Sequence, residues 1–232
     1  MYYGYGYDWT YILVIIAGLI TILAQVWVNS SYSKYKHRNG NMGITGKEVA
    51  RKILDANGLS NVQVLEVAGT LTDHYDPTKK TVNLSTDIYK DSSIASIAVA
   101  AHECGHAIQD KIGYAFLKIR HKLVPTVNFC SKLGYVVIFI GLLFGTYNLA
   151  MFGLFLLGAI LLFQLVTLPV EFNASKRAME QLRILNLTDE IDQNGVKNML
   201  TAAAMTYVAA LASTLLQLLR LLIIINSRSR DN

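Results

Sequence analysis

The sequence is short of charge, short of cysteine and free of basic residues at its start, and each shortage excludes something. Only 16% of its 232 residues are Asp, Glu, Lys or Arg, against 53% hydrophobic, an excess too large to hide in one soluble core. Two cysteines, Cys104 and Cys130, exclude a disulfide framework and suit a reducing compartment. The first basic residue is Lys34. The first apolar run therefore lacks the basic leader of a cleaved signal peptide, and no small-residue cleavage site follows it. A net charge of +5 is explained by where the basic residues sit around the apolar runs, so there is no case for nucleic-acid binding.

What is present is apolar and arranged in blocks. Residues 10–28 are nineteen positions without a charge, close to the roughly 20 needed to cross a bilayer core. They read as a retained anchor, with Trp9 and the tyrosines before it as an interfacial belt. Residues 133–170 also carry no charge, a run of thirty-eight, which suits two spans joined at Thr146-Tyr147-Asn148. A last block, 202–225, contains Gln217 and Arg220 and is either a fourth span or a helix at the interface. Of the 21 Lys and Arg, fourteen fall in 29–132 and four in 171–200. The positive-inside rule then places the N-terminus outside and both of those segments in the cytoplasm. A fourth span would put Arg228 and Arg230 outside, a mild objection to it.

The cytoplasmic part begins with a polar linker, 29–43. Thr45-Gly46-Lys47-Glu48 has the form of a capping box opening a helix to about Ala56, stopped by Asn57-Gly58. Val62–Val67 alternates as a strand, and a second strand near Thr81–Leu84 follows a turn at Asp76-Pro77. The next helix, capped near Asp91-Ser92, runs to about Asp110, with Gly113 beyond its end.

That helix carries HECGH, residues 102–106. Positions four apart lie about 40° apart around a helix and about 6 Å along it, so His102 and His106 can point at one ion. Glu103 leans beside that ion, placed to take a proton from water. Cys104, turned about 200° from His102, faces the other way and reads as a packing residue. A catalytic zinc needs a third protein ligand and an open position. The extended motif would put histidine at 112, which is Ile112, and no Asp or Glu occurs between Asp110 and Glu171. Glu171 arrives where the hairpin returns to the same membrane face, with Pro169 taken as a helix start, and is the expected ligand; His121 is the alternative. Candidate transition-state stabilisers are Tyr207, Arg177 and His74. Each also has a plain structural reading: a packing tyrosine, a surface contact and a turn residue.

HECGH, a transmembrane hairpin and EFNAS together resemble the integral-membrane zinc metallopeptidases of the gluzincin class. The chain is similar to the YugP-type neutral zinc metallopeptidase family along its whole length, through YDPTKKTVNLS, AAHECGHAIQ, LPVEFNASKRA and TAAAMTYVAA. HtpX-type membrane proteases share the arrangement, with a second motif E-x-x-A-D that falls on Glu171 and Ala174. Where that pattern has aspartate this chain has Ser175, so Ser175 or Asn173 is expected to support a ligand histidine. The resemblance implies one zinc per chain, a polypeptide substrate, a bacterial plasma membrane with the active site facing the cytoplasm, and a candidate regulatory membrane partner. It also assigns 81–85 as an edge strand that binds the substrate backbone.

The fold expected is mainly α: a zincin-like catalytic domain with a small β-hairpin or sheet, packed on a bundle of three or four transmembrane helices. The divisions are an anchor at 1–28, a catalytic region at 29–132, a hairpin at 133–170, a helix with the third ligand at 171–200, and an apolar helix with a basic tail at 201–232. The function expected is a zinc endopeptidase acting on unfolded or membrane-proximal proteins. The rival is a silent membrane scaffold that keeps the zinc fold. A transporter would need ionisable residues inside the spans, and the first three have none.

Overall fold

The computed structural model describes residues 8–230; the tyrosines before Trp9 and the side chains of Arg228 and Arg230 lie outside what it describes. Seven helices and three strands follow in the order α1 (Tyr11–Lys36), α2 (Gly46–Ala56), β1 (Gln63–Val67), β2 (His74–Asp76), β3 (Thr81–Ser85), α3 (Thr86–Lys90), α4 (Ile94–Lys111), α5 (Ala115–Leu143), α6 (Tyr147–Ile184) and α7 (Glu190–Arg230). Of these, α1, α5, α6 and α7 are long and apolar enough to cross a membrane. The 202–225 block is thus part of a fourth candidate span. The chain is a mainly α membrane protein and divides into two compact units, one of residues 1–24, 120–166 and 207–232, the other of 25–119 and 167–206.

The membrane unit contains the apolar stretches of all four long helices, with aromatic side chains such as Phe139 and Phe155 turned outward, 67% and 78% exposed. Small residues let its helices approach. A Cβ at Gly153 would meet the Ile138 backbone nitrogen at 2.7 Å, so this close α5–α6 contact needs glycine. Ser213 on α7 donates to the Ala17 carbonyl of α1 at 2.9 Å. The Tyr147 hydroxyl donates to Asn226 at 3.0 Å, placing the end of α7 beside the turn between α5 and α6.

The second unit has its own core, formed by α2, α3, α4, the inner face of the sheet and parts of α6 and α7. The capping box forms as expected: the Glu48 amide donates to Thr45 Oγ1, and the Glu48 carboxylate accepts from the Thr45 amide. Such a cap is worth about 1 kcal/mol. Cys104 is fully buried in this core, as its position on the helix required.

Four expectations are corrected. Residues 29–36 do not form a linker, because α1 continues through them. Pro169 lies inside α6 rather than at a helix start; proline lacks an N–H but not a carbonyl, and that carbonyl accepts from the Tyr114 hydroxyl at 3.5 Å. The two strands expected to form a hairpin instead pair in parallel, Val64 opposite Val82. The hairpin partner is β2, antiparallel to β3 with His74 opposite Asn83, and three residues are too few to reveal alternation. Finally, 81–85 is not an edge strand. The sheet order is β1-β3-β2, with β3 central and all five of its residues buried.

Candidate metal centre

α4 and α6 bring the cluster together. His102 and His106 sit one turn apart on α4, their rings edge to face with centroids 4.8 Å apart. Glu171, on the part of α6 beyond Pro169, places Oε2 3.3 Å from His102 Nε2 and 3.7 Å from His106 Nε2. These three donor atoms lie within 4.8 Å of one another. Ligands about 2.0–2.2 Å from a tetrahedral zinc stand roughly 3.3 Å apart; the two His–Glu separations, 3.3 and 3.7 Å, are close to that, and the residues present fit such an ion once the two rings draw slightly together. Glu171 is 3% and His106 9% exposed.

The helices can come this close because Gly105 lies between the two histidines. A Cβ there would stand 2.5 Å from the Ala174 carbonyl oxygen, inside any permitted contact. The glycine of HECGH is therefore what lets α4 rest on α6 opposite Glu171.

Hydrogen bonds fix the polarity of the His106 side. Gln109 Nε2 donates to the Val170 carbonyl at 2.8 Å and to Asn173 Oδ1 at 3.0 Å. Its Oε1 must then face His106 Nδ1, 3.0 Å away, and that ring nitrogen carries the proton. In the neutral ring Nε2 is left with a lone pair toward Glu171, the arrangement a metal requires. Arg177 Nε, which can only donate, reaches the same Asn173 oxygen at 2.8 Å and holds the asparagine in this orientation. On the other side, Ser175 Oγ lies 3.2 Å from His102 Nδ1. Burial lowers the His106 pKa, but the Glu171 carboxylate, with Glu103 and Gln109 assisting, raises it more, and the net direction is upward.

Glu103 is 8% exposed and accepts no hydrogen bond among the described residues. Its charge is felt by Asp73, whose carboxyl burial pushes up, Ser85 draws down and Glu103 raises again. Asp73 accepts from the Ser85 amide at 2.7 Å, closing the end of β3 beyond its pairing with β2.

The other expected residues are distributed. Arg177 is engaged with Asn173 rather than aimed at the donor atoms. Tyr75 donates to Asp110 of α4 at 2.7 Å, so strand alternation turns its neighbour His74 to the other face of the sheet. There His74 Nδ1 binds the Thr72 carbonyl at 2.8 Å. Tyr207 sits on α7 in the membrane unit, 36% exposed, as does His121 on α5. Gln109 and Asp73 were missed. Gln109 had a signal, since it stands three residues after His106 on the same helical face; Asp73 had none.

Comparison with known proteins agrees with this chemistry. A family model described as "Putative neutral zinc metallopeptidase" matches residues 10–226. The "Putative membrane protease YugP" of Bacillus subtilis (strain 168) is 45% identical over 223 residues, covering 95% of this chain and 99% of that protein. No solved structure matches.

Proposed function

The chain belongs to the putative neutral zinc metallopeptidase family, and from that premise we propose that it is a membrane-embedded endopeptidase whose site faces the cytoplasm. The observation that carries this reading is the grouping of two imidazoles and one carboxylate, with both Nε2 atoms within 3.7 Å of Glu171 Oε2. One zinc per chain would be held by His102, His106 and Glu171. Zinc bound there supplies Lewis acidity to a water molecule and to the scissile carbonyl.

The chain's own residues supply the rest. Ser175 accepts from His102 Nδ1–H, and Gln109 accepts from His106 Nδ1–H, so both rings present Nε2 and cannot flip. Ser175 thus takes the place of the aspartate in the related motif, and Asn173 steadies Gln109. Glu103, unengaged and nearly buried, takes the proton of the attacking water and returns it to the leaving amine. An unpartnered buried carboxylate has no use in a scaffold, which favours the enzyme. The substrate is an unfolded or membrane-proximal polypeptide. It adds to the sheet at β2, which occupies one of the two edges and is tied to α4 through Tyr75 and Asp110.

The test is zinc content per chain in detergent-purified protein, wild type beside Glu171→Gln. The expected result is close to one zinc in wild type and a clear loss in the variant. Full zinc in Glu171→Gln removes Glu171 as ligand and points to His121 or another carboxylate. No zinc in a folded, zinc-supplied wild type makes the protein a scaffold.

A further inference from the structure

The membrane unit contains a cavity of about 330 Å3 that none of the cluster residues lines. Val14 of α1 and Leu157 and Ile160 of α6 give it an apolar wall. Tyr135 of α5 and Gln217 and Arg220 of α7 give it a polar one. Arg220 is the single charged residue between positions 202 and 225, and an arginine in such a stretch is costly enough to indicate function.

Its contacts inside the protein are incomplete. One terminal nitrogen is 3.5 Å from the Asp8 carboxylate, which is 39% exposed, and the guanidinium lies over the Tyr11 ring at 4.5 Å. Nε is buried with no hydrogen-bond partner. A guanidinium has five donors, so part of this one is unmet in a setting where unmet donors are expensive. The depth also fits a lipid. Asn226 lies beside the α5–α6 turn, and Arg220 is six residues, about 9 Å, further along the helix, where headgroup phosphates give way to acyl chains.

We propose that this cavity is a binding site for an anionic phospholipid, with one acyl chain against Val14 and Ile160 and the phosphate on Arg220 and Gln217. Arginine and phosphate pair in bidentate, charge-assisted geometry, which uses the donors that Asp8 and Tyr11 leave over. A volume near the lower end of small-molecule pockets, about 300 Å3, takes a segment of one chain and leaves the rest of the lipid in the bilayer. The site is independent of zinc.

The experiment uses the full chain in detergent, titrated with phosphatidylglycerol, with phosphatidylcholine of the same chains, or with inorganic phosphate. Retained ligand is read by native mass spectrometry. Wild type is expected to prefer phosphatidylglycerol by about tenfold, because the choline cation of phosphatidylcholine offsets the phosphate charge beside Arg220 whereas phosphatidylglycerol stays net anionic. Arg220→Gln abolishes the preference. Ile160→Trp fills the cavity and lowers retention with Arg220 intact. Asp8→Asn, which removes the competing carboxylate, tightens binding several-fold. Equal retention of both lipids by wild type overturns the proposal, as does unchanged preference in Arg220→Gln or unchanged retention in Ile160→Trp. Displacement of the lipid by inorganic phosphate at equal concentration makes the site one for free anions and overturns it too. Should Arg220→Gln fail to fold, Ile160→Trp and Asp8→Asn decide.

Discussion

One amide, Gln109, touches both sides of the donor cluster. It accepts from His106 and donates to the carbonyl of Val170, the residue before Glu171. Replacing it with leucine removes the acceptor for His106 and leaves that carbonyl short of a donor. Zinc affinity should fall by about 10–100-fold, measured by chelator competition, and Ser175→Ala should weaken the His102 side within the same range. Glu103→Gln should behave oppositely: full zinc, with peptide hydrolysis lower by about 10²–10⁴-fold. Equal losses of zinc in all three variants would deny any division of labour. The pH dependence follows from His106. Its metal-free folded pKa lies above the ordinary histidine value, so the folded state binds that proton more readily than the unfolded chain. That pairing stabilises metal-free protein below the unfolded pKa, near about 6.5, and is lost as pH rises through the folded value. Zinc must displace the same proton, so apparent affinity rises with pH as metal-free stability falls. Thermal melts and zinc titrations across about pH 6 to 8 should move in opposite directions.

At the level of elements, Gly105 is the point where sequence and packing meet. Gly105→Ala puts a methyl group 2.5 Å from the Ala174 oxygen, and because that oxygen is backbone, no rotamer relieves the clash. The helices must part, at about 1–3 kcal/mol, and Glu171 withdraws with α6. A lower melting temperature together with lower zinc content is expected; loss of zinc with an unchanged melt would mean that the helices do not part. The same contact shows what sequence could and could not disclose. The spacing of HECGH picked out His102 and His106, and the absence of carboxylates from 111 to 170 singled out Glu171, the three residues the structure brings together. Both are local patterns or simple counts. The approach at Ala174, the bond from Gln109 to Asn173 and the central place of β3 depend on residues far apart in the chain. Composition carries no trace of them. β2 escaped notice because it is three residues long, and Pro169 misled because α6 runs on through it, although proline there forgoes one intrahelical bond.

For the whole molecule, topology decides which proteins the site can meet. An even number of spans returns the chain to the side from which it started, so the four candidate spans, if all cross, place the start of α1 and the end of α7 on the same side. Asp8 beside Arg220 and Tyr147 beside Asn226 agree with that arrangement within the membrane unit. The charge distribution sets the direction: no Lys or Arg precedes α1 and none lies between Lys132 and Lys176, whereas the segments carrying the cluster hold eighteen of the 21. The positive-inside rule supports the proposal that those segments face the cytoplasm, where Cys104 would stay reduced. Single cysteines introduced at Asn148, in the α5–α6 turn region, and at Lys79, in the β2–β3 turn, test this in a chain whose own two are replaced. A membrane-impermeant maleimide applied to intact cells should label position 148 and leave 79 unmodified until the cells are lysed. The reverse pattern would place the site outside, where it would meet exported polypeptides, and the proposed cytoplasmic substrates would have to be abandoned while the zinc chemistry stood.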